Sequence, residues 1–489
     1  MRFISCFCSS IDGFEYVIRK EKDMSNNQAS KRLAKGTLVY MIGNMSSKIL
    51  QMLILPIITA ALATSEYGYY DLVVTTINLI TPVVTVQIIE GMFRFLFNAS
   101  DEEKKKTVST VTAFLAFGIL VLAIIIFAIH IAIPSIDYPW LIYFNYVSCI
   151  VFTYMQKLAR CQQKNKVFAI SGVINTAVML ATQIVALLVL HMSVDGMLIA
   201  NAISYIAASI YIGGYVDIKK WLHKDKVDKK TLNTLLRYSA PLVPNSVAWW
   251  IVASSDRYVI TFFLGTAANG VYSIAGKFSQ LLTFVTSVFQ LAWQESAIME
   301  ENSDARDKFY TDTFNMYMKL LLGGYLIILP FIKIIIPFLL ADSYLQGYLY
   351  NPVLLIGAVF AAFSQFYGSA YLVFKKTSGA FTTTIIAAFV NILIGLGLIR
   401  YIGLFAPALG TSISFMVQWI IRAYQMREYF RVKIGKKSMV VLLAFACIVT
   451  YLYYFDSIGW QFLAFGIGMI VFLVVNKGFI ESVIKKLKK

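Results

Sequence analysis

Of 489 residues, 58% are apolar and 14% charged, and the mean hydropathy is +0.70. Apolar runs of about twenty residues exceed what a soluble core can cover, and they lack the two-residue alternation of a transmembrane β-barrel. The chain therefore reads as an all-α polytopic membrane protein, and the net charge of +17 has to be judged by where it falls before it is taken as a nucleic-acid signal.

Fourteen spans are expected, at 38–61, 72–97, 109–133, 138–157, 167–190, 195–216, 239–263, 267–297, 310–338, 350–374, 378–399, 404–425, 438–455 and 459–476. Alternate connections and their edges, starting with the N-terminal segment, hold 36 of the 43 Lys and Arg residues. The other connections carry Glu66, Asp71, Asp137, Asp195, Asp342 and Asp456, with Arg400 at the edge of one. The positive-inside rule then places both termini in the cytoplasm. The basic charge is a topology signal, and no nucleic-acid partner is expected.

The expected organisation is a cytoplasmic segment 1–37, an N-lobe 38–216, a charged cytoplasmic linker 217–237, a C-lobe 238–428, spans 13 and 14 within 429–476, and a basic tail 477–489. Residues 1–23 read as a disordered extension, or as sequence upstream of a start at Met24. Cys149 and Cys447 fall inside spans and Cys161 in a cytoplasmic loop, while Cys6 and Cys8 form a lone C-x-C. Neither a disulfide nor a zinc site is expected, and no cofactor.

A repeat organises the two lobes. "LATSEYGYYDL" (62–72) and "LGTAANGVYSI" (264–274) share Leu-x-Thr-x-x-x-Gly-x-Tyr at an offset of 202 residues. The same offset pairs Lys35 with Arg237, and nearly superposes the cytoplasmic loops 98–106 and 301–308. A unit of six spans is even, so its copy inserts with the same orientation. Two parallel six-helix lobes plus two C-terminal helices follow, a plan that favours a transporter over an enzyme. Gly68 and Gly270 are expected to give the shared outer turn its unusual backbone angles, and Tyr70 and Tyr272 to anchor it at the interface.

Charges inside spans are costly and mark function by default. Arg94, Lys333 and Arg400 sit close enough to membrane faces to snorkel. Lys48 shares one face of span 1 with Asn44 and Gln51, and the copy of that face in span 7 carries Ser246, Trp250 and Arg257. In span 8, Ser273, Lys277, Gln280, Ser287 and Gln294 form a polar stripe. Lys48, Arg257 and Lys277 are the candidate cations of a hydrophilic cavity, supported by Asn44, Gln51, Ser246, Trp250, Asp256, Gln280 and Ser287. The i, i+4 pair Glu90 and Arg94 is expected either to satisfy itself or to latch an inner gate. Cations, amides, hydroxyls and indole suit an anionic, hydroxylated substrate such as a lipid-linked sugar pyrophosphate.

Two stretches carry a family resemblance. "LPIITAALATSEYGYYDL" (55–72) and "RYSAPLVPNSVAWWIVASSDRYVITFFLG" (237–265) resemble signatures of the polysaccharide transporter family, within the multidrug/oligosaccharidyl-lipid/polysaccharide exporter superfamily. The resemblance implies a flippase that carries an undecaprenyl-pyrophosphate-linked oligosaccharide repeat unit from the inner to the outer leaflet. It further implies the bacterial cytoplasmic membrane, surface-polysaccharide assembly, membrane lipids as surroundings and the polysaccharide polymerase machinery as a partner. The Ser-x-Asp-Arg match carries Asp256 and Arg257 into that reading directly.

An ion-coupled small-molecule exporter of the same fold is the first alternative. It requires N-lobe acids within the spans, where only Glu90 lies away from the outer ends. A membrane-embedded glycan polymerase or ligase is the second. It requires a large outer loop bearing catalytic groups, and the outer connections are short.

Overall fold

The computed structural model describes residues 50–96, 99–132, 137–299, 306–374 and 376–481. Helices account for nearly all of them, and no strand occurs among them. Among the described residues, nine helices are long and apolar enough to cross a membrane, and a pair bent by 58° makes a tenth. The chain is a multi-pass helical membrane protein.

The first compact unit runs through the described residues up to Trp250, the second from Ile251 onward. In the first unit, α1 (Leu55–Ala61) ends at Leu62 and Ala63, and α2 (Thr64–Val84) begins span 2. Pro82 removes one backbone donor near the end of α2. Val86 and Gln87 then adopt φ of 46° and 52°, and the chain resumes as α3 (Ile88–Leu96). Span 2 is therefore two helices with a hinge-like bend rather than one rod. Next come α4 (Asp101–Ala132), α5 (Pro139–Cys161), α6 (Asn165–Ile184, closed by one π-helical turn) and α7 (Val194–Gly213). Their apolar core gathers Ile88, Met92, Val108, Leu158 and Ile212, all fully buried.

Polar side chains join helices where lipid offers no alternative partner. Asn145 of α5 donates to the Leu198 carbonyl (2.9 Å), Tyr146 to that of Thr76 (3.0 Å), and Asn201 to the Tyr70 hydroxyl (2.8 Å). The linker also belongs to this unit. Ser109 accepts from the His223 amide and donates to the Trp221 carbonyl, and Thr110 accepts from the Asp228 amide. Its amphipathic helix α8 (Lys229–Ser239) buries Leu235 against α3. The first half of span 7, up to Trp250, follows the same unit, whereas the sequence places the lobe boundary at residue 238.

In the second unit, span 7 itself is broken. Helix α9 (Leu242–Ser254) stops at Ser255, and α10 (Asp256–Met299) contains a non-helical Gly265 at φ 86°, ψ 170°. There follow α11 (Arg306–Leu339), α12 (Asn351–Val373), α13 (Thr377–Ile402), α14 (Phe405–Gln425), α15 (Lys436–Tyr453) and α16 (Ile458–Val475). Each expected span from the second onward thus has helical counterparts, and α1 lies within the described part of the first. An aromatic stack fixes the core, with ring centroids 3.7 Å apart for Phe289 and Tyr317 and 4.0 Å for Trp293 and Phe366. Such pairs add about 0.5–1.5 kcal/mol each beyond area burial.

Spans 13 and 14, which fall outside the repeat, dock on α11. Gly468 of α16 faces the Leu326 backbone directly, and Gly323 of α11 receives the Phe472 ring. Lys333 donates to the carbonyls of Tyr453 and Phe455, and Gln461 donates to the same end of α15. Lys333 thus closes the end of the hairpin at which α15 turns into α16.

The repeated loop differs from its expectation. Gly68 lies within α2 and Gly270 within α10, both in helical conformation. The breaks fall earlier, at Leu62–Ala63 and Leu264–Gly265, so that Thr64 and Thr266 both open helices. The tyrosines are internal: Tyr70 hydrogen-bonds Asn201, and Tyr272 is 1% exposed. Glu66 accepts from the Ala63 amide (2.8 Å) and the Ser193 hydroxyl (2.5 Å), joining the starts of α2 and α7.

Candidate functional site

The residues proposed from sequence separate into groups. Lys48 and Asn44 lie outside the described residues, and Gln51 is exposed just ahead of α1. In the first unit, Gln87 at the bend of span 2 donates to Ser246 (2.7 Å), and Trp250 Nε1 donates to the Thr75 carbonyl (3.0 Å). The structure therefore brings Ser246 and Trp250 of span 7 against span 2. Ser246 occupies a helix-to-helix bond at the bend, and Trp250 keeps its ring partly exposed.

Asp256 and Arg257 stand at the break of span 7. Ser255 donates to Asn391 Oδ1 (3.3 Å), and Asn391 Nδ2 to Thr411 (3.1 Å), so spans 11 and 12 hold the break in place. Asp256 is 4% exposed, and its Oδ1 accepts both the Arg257 amide (3.0 Å) and Nη1 of the same residue (2.6 Å). A buried carboxylate requires such a partner, because desolvating an uncompensated charge costs several kcal/mol. The guanidinium, 17% exposed, lies over the Tyr272 ring, 5.6 Å from its centroid. Its Nη2 comes within 3.7 Å of where a Cβ on Gly276 would stand. The chain fold past Gly265 thus carries Arg257 back onto the helical turn that bears Lys277. Lys277 is half-buried, Gln280 and Ser287 of the same stripe are exposed, and Ser273 is buried with Asn269 as its acceptor. Arg257, held by the Asp256 carboxylate, thus lies against the turn of α10 that also bears Lys277.

The inner end of span 2 differs from the expected i, i+4 latch. Glu90 pairs with Lys157 of α5 at 2.6 Å, and Lys157 also stands 5.2 Å over the Phe93 ring. The partner comes from the neighbouring helix rather than from the next turn of α3. Arg94 is left exposed, without an ion pair among the described residues, and turns into a cavity shared with Lys106 and Lys230.

Sequence reasoning missed one polar centre. Ser414, Gln418 and Arg422 run along one face of α14 and are all buried. Arg422 Nε donates to Thr383 (3.0 Å), its Nη1 to the Ser364 carbonyl (3.1 Å) and its Nη2 to Thr384 (3.3 Å), while Gln418 bridges Ser364 and Thr384. The i, i+4, i+8 spacing was a usable signal. It was obscured because Arg422 counts naturally with the basic cytoplasmic connection that follows. Among the described residues no cluster of His, Cys, Asp and Glu has the composition of a metal site.

This fold is shared with known transporters. The lipid II flippase MurJ, in an inward-closed conformation, matches with a TM-score of 0.68 and 14% identity over 91% of this chain and all of that one. An inward-facing multidrug-resistance MATE family transporter of the MOP superfamily matches with a TM-score of 0.61 and 14% identity, covering 84% and 98%. A Vibrio cholerae MATE transporter matches at 0.54 and 12% identity, covering 81% and 97%. At such identities the likeness establishes the fold alone. No curated protein matches by sequence. The family model described as polysaccharide biosynthesis protein matches residues 33–293, more than half of the chain, and the helices it spans include both repeated loops and the Asp256–Arg257 pair. The chain belongs to this polysaccharide biosynthesis protein family.

Proposed function

We propose that the chain is a flippase that moves a lipid-linked oligosaccharide repeat unit, carried on undecaprenyl pyrophosphate, across the bacterial cytoplasmic membrane for capsule, exopolysaccharide or O-antigen synthesis. The observation that carries this reading is the family membership, joined to the gathering of Arg257 on the Lys277 turn of α10. A pyrophosphate brings more than one negative charge and several acceptor oxygens, which a forked guanidinium and a neighbouring ammonium can bind together. Asp256 keeps the guanidinium oriented while the site is empty. On binding, Arg257 shares its donors between Asp256 and phosphate, so the substrate does not meet a collapsed side chain. Trp250 supplies a ring face to a sugar, and the lipid tail stays in the bilayer, since each CH₂ withdrawn would cost about 0.8 kcal/mol.

Transport proceeds by alternating access, with the six-helix lobes 38–216 and 238–428 rocking about the bound headgroup. Lys48 of span 1 is the N-lobe counterpart of Arg257. The polysaccharide polymerase machinery receives the flipped unit on the outer side. The test is a leaflet-sidedness assay of the glycolipid in membranes carrying Lys48→Ala, Arg257→Ala or Lys277→Ala, each matched to wild type for protein level. Loss of outer-leaflet glycolipid is expected in each. Normal export by all three would overturn the site, and normal export in a complete deletion would overturn the flippase reading itself. The MATE-like fold favours a second reading, an ion-coupled small-molecule exporter. It predicts drug accumulation, with no change in glycolipid sidedness, when the chain is deleted.

A further inference from the structure

A second basic site lies apart from the Arg257–Lys277 turn. In the first unit, a cavity of about 700 Å³ opens between the inner end of span 2, the start of α4 and the linker helix α8. Arg94, Lys106 and Lys230 line it, with Phe95 and Tyr238 forming an edge-to-face pair (5.6 Å) on one wall. Two acids share the lining, but both are occupied in capping their own helices. Glu103 Oε2 accepts from the amide and hydroxyl of Ser100, and Asp228 Oδ2 accepts from the amide and hydroxyl of Thr231. Lys106 lies close enough to both for its field to act on them, whereas Arg94 and Lys230 form no ion pair among the described residues.

The walls are preassembled. Lys226 bridges to Glu102 (3.1 Å), and Ser109 and Thr110 hold the linker backbone to α4. Leu235 is buried, and its backbone and side chain pack against Gly91. Ordinary positive-inside lysines project into water from a loop. Here the cations converge on a concave surface that three separate elements hold, beside hydroxyls and two aromatic rings.

We infer that this cavity binds a phosphate-bearing group presented at the basic face of the membrane, Arg94 and Lys230 supplying the charge and Tyr238 bordering the site. The chemistry fits a sugar phosphate or pyrophosphate headgroup, and equally the headgroup phosphate of an anionic phospholipid. The site stands on its own geometry and does not depend on the flippase reading. If that reading holds, the cavity is a loading position that the headgroup occupies before reaching the Arg257–Lys277 turn.

The test uses the full chain in phosphatidylcholine nanodiscs, titrated calorimetrically with inorganic pyrophosphate. A second arm compares thermal midpoints in phosphatidylcholine and phosphatidylglycerol nanodiscs. Saturable, salt-sensitive pyrophosphate binding is expected, weakened about tenfold by Arg94→Gln and by Lys230→Gln, as for loss of one charge-assisted bond. Arg94→Lys should restore part of it, and Lys224→Gln, on the linker outside the cavity, should leave it unchanged. A phosphatidylglycerol-dependent midpoint that Arg94→Gln abolishes would assign the site to a lipid headgroup. Pyrophosphate binding lost in Lys277→Gln but unaffected by Arg94→Gln and Lys230→Gln overturns the inference, as does the absence of a response in both arms.

Discussion

Two glycines on α16, two residues apart, should respond to alanine with opposite signs. A Cβ on Gly468 would stand 2.7 Å from the carbonyl carbon of Leu326, and closer still to its oxygen, while one on Gly466 would meet nothing within 4 Å. Carbon atoms rest at about 3.5–4.0 Å, so Gly468→Ala must move α16 away from α11 by roughly 1 Å. A radial gap of about 0.5–1 Å forfeits a quarter to a half of each dispersion contact. In a bilayer this contact is the main attraction between helices, because lipid tails are as apolar as the side chains. Forced overpacking of this kind costs about 1–3 kcal/mol. Gly466→Ala has no such penalty and gains roughly 0.5–1 kcal/mol of helix propensity. Gly323→Ala lies between, since the atom it meets, at 2.8 Å, belongs to the Phe472 ring, which can rotate. The assay is the thermal midpoint in neutral detergent, read by tryptophan fluorescence alongside size-exclusion profiles. With about 2–4 °C per kcal/mol for a unit of this size, Gly468→Ala should fall by several degrees and Gly466→Ala should hold or rise slightly. Equal midpoints for the two variants would refute the backbone contact, and with it the docking of span 14 on span 9.

Gly265→Ala should lose about 1–3 kcal/mol from backbone strain alone, because its φ of 86° with ψ of 170° is a glycine region and no atom crowds the added carbon. Gly397→Ala, equally uncrowded but helical, is the matched control, and equal midpoints would remove the strain argument. Arg422→Lys should behave as a disruptive change, losing about 1.5–3 kcal/mol for each charge-assisted bond that a single ammonium cannot replace. A wild-type midpoint for that variant would mean that the fork to Thr383 and Ser364 contributes nothing. Hydrogen bonds from Lys105 and Lys226, with their charges, hold the Glu102 carboxyl down at about 2, against an ordinary 4.5. The resulting tie between linker and α4 is complete above about pH 4.5 and lost as pH falls towards 2. Hydrogen-exchange protection over residues 221–231 should decline across that window in the wild type and lose this pH dependence in Glu102→Gln, where Ser109 and Thr110 still hold the linker; identical profiles would sink the assignment.

The helical architecture was legible because a bilayer leaves little choice. Every backbone group must be satisfied within its own segment, so apolar length and turn position suffice to place helices. What sequence could not show is which polar groups meet. Glu90 has Arg94 one turn away, yet it pairs with Lys157, which comes from another helix. Arg422 looked like one more cytoplasmic charge, because its burial depends on Ser364, Thr383 and Thr384 arriving from two neighbouring spans. The Asp256–Arg257 motif was visible, but its approach to Tyr272 and Gly276 required the non-helical break at Gly265.

That break also explains why the repeated loop diverged where it did. Both copies interrupt the chain after a leucine and open a helix at a threonine, Thr64 and Thr266. A helix start leaves backbone donors without intrahelical partners, and the chain must change direction at the same place. The first copy solves this with ordinary angles at Ala63 (φ −65°, ψ 154°) and a side chain, Glu66, that reaches back to the Ala63 amide. The second copy has Ala268 in place of Glu66, so that cap is unavailable. It uses instead the backbone freedom of Gly265, where the first copy has Ala63. Glycine supplies the change of direction but no acceptor, and beyond it Arg257 Nη2 stands 3.7 Å from where a Cβ on Gly276 would lie. A Gly265→Ala, Ala268→Glu double change would restore the first copy's cap, and by this argument it should recover stability before it recovers transport.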